Sequence, residues 1–141
     1  MHYLVDTCVI SEIVKPSPAP QVVEWLVNVE EDRLFLSVLT IGELQKGISA
    51  LAAGRKRQRL QTWLDQELTR RFERRLLPID QETAQEWGVI SAQARLKGLA
   101  APVIDTLLAA TARRHNLVLI TRNLRDFTPF DVRLFNPWQL D

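Results

Sequence analysis

Four oxygen-bearing side chains stand at the positions in this chain where chemistry is best placed: Asp6, Glu43, Asp105 and Asn123. Asp6 follows the short apolar run Tyr3-Leu4-Val5. A carboxylate at the end of a buried strand must be hydrated, paired or bound to a cation, because an isolated buried charge is too costly to keep. Glu43 lies in "SVLTIGELQKG", in the first turn after a second strand, and Asp105 lies near the start of "IDTLLAATARRHNL". Asn123 comes directly after the apolar "LVLIT" and its Arg122. Each also has an ordinary structural reading. Asp6 can cap a helix, Glu43 can close a capping box with Thr40, Asp105 can face a helix dipole and Asn123 can turn the chain. Gathered at one place, the acids repel one another and resist ionisation. A hard divalent cation relieves that repulsion, and oxygen-only ligands point to Mg²⁺, with Mn²⁺ able to substitute. That combination suits phosphodiester hydrolysis, in which activated water attacks phosphorus while the ion offsets the developing charge.

The elements that must position these residues alternate. Strands are expected at Tyr3–Val5, in "RLFLS" at 33–37, in "LLPI" at 76–79 as an edge strand, in "VLIT", and in "VRLF" at 132–135. Between them, the prolines of "KPSPAP" at 15–20 break the first helix, and Pro20 opens a second whose apolar face is Val22, Val23, Leu26 and Val27. Ile41, Leu44, Ile48 and Leu51 recur at helical spacing, and a basic amphipathic helix follows with Leu60, Trp63, Leu64 and Leu68 on one side. "DQETAQEWGVISAQARLKG" begins with Asp80 as a cap and stops at Gly98. Strands alternating with helices predict an α/β fold with a central, mostly parallel sheet flanked by helices. In such sheets ligands bind outside the carboxyl ends of the strands, which is where all four residues are delivered.

Length and composition narrow the class. One domain over residues 1–141 is expected, since 141 residues suffice for one sizeable core. With 46% hydrophobic and 25% charged residues, the chain has the make-up of a soluble globular protein. No apolar run approaches the roughly 20 residues of a membrane span, and no secretory signal is apparent. Cys8 is the only cysteine, and His2 and His115 are isolated, so no zinc set or internal disulfide is expected. A reducing cytoplasm fits best. Although the net charge is +1, Arg55, Lys56, Arg57, Arg59, Arg70, Arg71, Arg74 and Arg75 cluster in one segment. They either meet nucleic-acid phosphates or form a solvated face partly paired with Asp65, Glu67 and Glu73. Trp25, Trp63, Trp87 and Trp138 read as core or interface anchors, with base stacking as the alternative.

"LVDTCVISE", "SVLTIGELQKG", "IDTLLAATARRHNLVLITRNLRDF" and the closing "FNPW" resemble the PIN-domain ribonucleases, most closely the VapC toxins of bacterial toxin–antitoxin pairs, FitB-like branch included. The resemblance implies a PIN-like fold and a Mg²⁺- or Mn²⁺-dependent endoribonuclease that inhibits translation. Asp6, Glu43 and Asp105 would be its metal-binding acids. It also implies a homodimer, with a cognate VapB-type antitoxin that occludes the site and can build a higher assembly. Where the family often has a fourth acid, this chain has Asn123, which accepts through its amide oxygen but adds no charge. Asp126 is the nearby substitute, ranked below Asn123. Thr7 and Thr121 are supporting candidates beside the acids, Thr7 having an ordinary N-cap as its alternative, and Arg122 is a phosphate contact or a surface ion pair.

Three rivals remain. A receiver domain requires paired acids after its first strand, where Asp6 stands alone. A haloacid-type phosphatase requires an Asp where Cys8 stands. A non-catalytic RNA- or protein-binding module with the same fold is favoured by Asn123 and opposed by the three acids.

Overall fold

Tyr3-Leu4-Val5 is apolar, with an aromatic and a β-branched residue, the composition of a buried strand. In the computed structural model, which describes residues 1–139, it forms β1 (Tyr3–Val5). Asp6 ends it and caps α1 (Thr7–Ile13), and Pro20 opens α2 (Pro20–Asn28). β2 (Leu34–Ser37) runs straight into α3 (Val38–Ser49). The basic segment is one continuous helical rod. It consists of α4 (Arg55–Thr62), a π-helical stretch at Trp63–Leu68 and the single turn α5 (Thr69–Arg71). β3 (Leu76–Leu77), α6 (Gln81–Leu96), α7 (Val103–Arg114), β4 (Val118–Ile120), α8 (Leu124–Phe127) and β5 (Leu134–Phe135) complete the order.

The five strands form one sheet in the order β3-β2-β1-β4-β5, and every pairing is parallel. β1 is therefore central. Tyr3 pairs with Leu34 on one side and Val118 on the other, and Leu4 pairs with Phe35 and Leu119. As predicted, β3 lies at an edge, which suits a strand followed at once by Pro78. The period-2 alternation of strand side chains divides the core into two layers. Val5, Leu34, Leu36, Val118 and Ile120 pack with Val9, Ile10, Val22, Leu44, Ile48, Leu64 and Leu68. Leu4 and Leu119 face the other way, onto Ile90, Ala94, Leu108, Ala109, Ala112 and Phe127.

Several sequence expectations change. The cap of α3 is Ser37, whose hydroxyl accepts from Leu39 N–H at 3.0 Å, so no Thr40–Glu43 capping box forms. Thr40 sits inside the first turn and is fully buried, and Glu43 falls in the second turn. Val27 faces solvent, because at one residue past Leu26 it leaves the buried stripe of α2. The cations near the rod's end do not pair with Asp65, Glu67 or Glu73. Instead Glu31 receives Arg71 and Arg75, each at 2.8 Å, and Arg75 also donates to the Leu34 carbonyl. Those two arginines fasten the rod to the start of β2. His2 and His115 both line one hollow of about 190 Å³, at the amino ends of β1 and β4. Among the described residues, no helix is long and apolar enough to cross a membrane.

Candidate functional site

β1 is where the sheet's winding reverses: β2 and β3 lie to one side, β4 and β5 to the other. At such a switch point the loops after neighbouring strands diverge and leave a crevice at the carboxyl edge. Asp6 follows β1 and Thr121-Arg122-Asn123 follows β4, so both flank that crevice.

Asp6 is only 6% exposed, and its oxygens receive three donors. Oδ1 accepts from the Thr7 backbone N–H at 2.8 Å, and Oδ2 accepts from the Thr121 hydroxyl at 2.8 Å and the Cys8 thiol at 3.6 Å. The Thr121 hydroxyl in turn accepts from the Asn123 N–H at 3.1 Å, which turns its single proton toward Asp6. The capping role expected from sequence is therefore real for Asp6, and the carboxylate is oriented as well as accommodated. Thr7 is not the cap but the first helical residue, and it joins two acids. Its N–H serves Asp6, while its hydroxyl donates to Glu43 Oε1 at 2.6 Å and stands 3.3 Å from the buried Thr40 hydroxyl.

The electrostatics bring the other acids into the same group. Burial pushes the Asp6 carboxyl above its ordinary range, against the lowering effect of its hydrogen bonds, and the charge of Asp126 pushes it further. Burial also raises Asp105, and the charges of Asp126, Asp6 and Glu43 then add to it. Four carboxylates thus lie in one neighbourhood at the carboxyl ends of β1 and β4, with Asp105 under the influence of the other three. Three of them are those expected from sequence. The fourth is Asp126, inside α8, whereas Asn123 touches the network through its backbone N–H. Among the described residues, no three His, Cys, Asp or Glu side chains close on a single point.

Arg122 forms no ion pair among the described residues. Its guanidinium lies 5.1 Å from the centre of the Trp138 ring, and its charge adds to the Lys15 hydrogen bond in lowering the Glu12 carboxyl. Two participants carry no clear mark in the sequence. Cys8 touches both Asp6 and Thr121, at 3.6 and 3.7 Å, and burial and the Asp6 charge raise its thiol. Thr40 backs Thr7 from α3; its spacing of three from Glu43 is the available signal, and the same spacing suggests a cap. Of the tryptophans, Trp87 donates to Thr106 at 3.0 Å beneath Asp105, and Trp25 packs edge-on to Tyr3.

Residues 3–131 match the family model described as PIN domain. The chain is 37% identical over 135 residues to Toxin FitB of Neisseria gonorrhoeae, covering 96% of this chain and 97% of that protein. It is 32% identical over 136 residues to VapC ribonuclease Y4jK of Sinorhizobium fredii, covering 96% and 97%. Among solved structures, FitAcB from Neisseria gonorrhoeae superposes with a TM-score of 0.93 at 37% identity, over 98% of this chain and 99% of that one.

Proposed function

The chain belongs to the PIN-domain family, in the branch of the FitB and VapC toxins, and from that premise we propose that it is a divalent-metal-dependent endoribonuclease, the toxin of a type II toxin–antitoxin pair. The observation that carries this reading is the linkage of Asp6 and Glu43 through Thr7 at the sheet's switch point, with Asp105 and Asp126 close enough to act on their charge. A fold that needed only caps and turns would have no reason to keep four carboxylates together there.

The donor set suits Mg²⁺ or Mn²⁺: hard oxygens, excess negative charge and no soft ligand except an un-ionised thiol. Asp6, Glu43 and Asp105 would hold the ion, and Asp126 would supply the fourth negative charge that Asn123 lacks. A bound ion would activate water and offset the charge developing on the scissile phosphate. The chain's own residues do the positioning. Thr121 and the Thr7 N–H fix both oxygens of Asp6, and the Thr7 hydroxyl holds Glu43 in register with it. Arg122, held against Trp138 and next to Asn123 in the chain, would be the phosphate contact.

A cognate VapB-type antitoxin is the expected protein partner, as the likeness to the FitAcB structure supports. A basic side chain from it would take the place of the cation among the acids. Cleavage of cellular RNA would stop translation, and a homodimer is the expected assembly.

The test is RNA cleavage by the purified chain, freed of any partner, with Mg²⁺ or Mn²⁺ and then with EDTA. Cuts should need the metal and fall by at least about 100-fold in Asp6→Asn, a variant that keeps the cap because Asn caps as well as Asp. RNA binding without turnover at any metal concentration would instead identify a binding module.

A further inference from the structure

The closing "FNPW" brings no acid, yet its tryptophan is fixed at three points. Asn136 is nearly buried, and its Oδ1 accepts from the Trp138 N–H at 2.9 Å, the side-chain turn that Asn forms with the residue two positions on. Pro137 between them has its φ set by its own ring. The Trp138 carbonyl accepts from Gln21 Nε2 of α2 at 3.3 Å, and the indole packs on the core layer that holds Val9, Ile10 and Val22. What the indole carries is Arg122, whose guanidinium lies over the ring at 5.1 Å.

Arg122 is rooted in the acid group. Thr121 before it donates to Asp6 at 2.8 Å, and the Asn123 N–H after it donates to the Thr121 hydroxyl at 3.1 Å. Its side chain is steered without being used. The face of the Trp138 ring attracts the cation. Glu12 attracts it by charge, while its own oxygens accept from Lys15 Nζ and the Ala19 N–H, each at 2.9 Å. Glu12 stays beyond ion-pair distance of Arg122. Among the described residues, no acceptor takes a hydrogen bond from the guanidinium, so its N–H donors remain for a ligand. An arginine already in place loses less rotamer freedom when a phosphate fixes it.

We propose that Trp138 is a positioning residue of the reaction: its ring holds the Arg122 guanidinium beside the acids, unspent and ready for an RNA phosphate. This rests on the ribonuclease reading, but one arm of the test needs no cleavage.

The experiment is a double-mutant cycle on the purified full chain, freed of any partner. Cleavage of a fluorophore- and quencher-labelled oligoribonucleotide of mixed sequence is followed with Mn²⁺, and binding of the same oligonucleotide is followed in EDTA. Arg122→Gln should raise KM about tenfold and lower the salt slope of binding by about 0.7, the share of one phosphate on a single strand. Trp138→Leu should raise KM about fivefold with kcat within about twofold, and Trp138→Phe should recover most of the loss, since Phe keeps an aromatic face. With Arg122 already Gln, Trp138→Leu should add nothing, because the ring acts through the arginine. Effects that multiply in the double variant would overturn the proposal, since Trp138 would then meet RNA itself or serve only the fold. A loss confined to kcat would overturn it too. Coupled losses in binding from a parent that never cuts with any metal would support the positioning and sink the nuclease reading. Normal cutting with KM unmoved by Trp138→Leu would do the reverse. A parent that neither binds nor cuts would sink both.

Discussion

At the residue scale, the acids oppose the fold that holds them. Asp105 is raised first by burial and then by Asp126, Asp6 and Glu43. Between its unfolded and folded values, the folded chain therefore binds more protons than the unfolded one. Its contribution to stability falls as pH rises through that window, beginning near pH 4, and the full penalty is present at neutral pH. Asp105→Asn removes the penalty. In EDTA at neutral pH the variant should melt above the parent by a few degrees, and the difference should vanish below about pH 4. Added Mg²⁺ should raise the melting temperature of the parent more than that of the variant, because only the parent keeps the full ligand set. Equal melting curves at neutral pH would mean that the acids do not repel as described. Asp6 and Asp105 were legible in the sequence as acids at the start of helices that local patterning reveals, whereas Glu43 was read one turn too close to its helix start. Cys8 and Thr40 were not legible, because their partners lie 113 and 33 residues away and only the closed sheet brings them together.

At the element scale, start signals misled in one place and served well in another. Thr40 with Glu43 has the form of a capping box, yet Ser37 captures the Leu39 N–H first and starts α3 earlier. That shift turns both residues inward on one helix face, toward Thr7. Asp80 and Gly98 were legible as the ends of α6, since their roles depend on neighbours within a few residues. Asp80 accepts from Thr83 N–H at 2.9 Å. Gly98, at φ 68°, bonds its N–H to the Arg95 carbonyl, and Leu99 N–H reaches Ala94 at 2.8 Å. This paired arrangement needs a left-handed residue at the helix end. Gly98→Ala should therefore cost about 1 kcal/mol, read as a melting temperature lower by a few degrees. The space around Gly98 is open, so the loss tests backbone strain alone. An unchanged melting temperature would show that the turn tolerates a side chain.

At the scale of the whole molecule, alternation of strands and helices made the parallel α/β class legible, but not the order of the strands. Parallel neighbours are joined through crossovers, so β1 meets β4 across more than a hundred residues, and no local pattern encodes that pairing. The order matters most for function, because it places the reversal beside β1 and so locates the crevice. It also leaves the turn between α6 and α7 uncovered. Leu96 there is 87% exposed and Val103 58%, with Leu99 and Ile104 also open to solvent. We propose these exposed apolar residues as the contact of the expected homodimer, since in a two-fold dimer the same patch serves both copies. The patch adjoins Asp105, so a second copy seated on it would stand at the rim of the acid group. On that proposal the parent chain should run as a dimer in light scattering after gel filtration and Leu96→Glu with Val103→Glu as a monomer, without a lower melting temperature of the isolated fold, because both side chains already face solvent. A dimer that survives both charges would place the contact on another face, and Asp105 would then lie open to solvent rather than beside a partner.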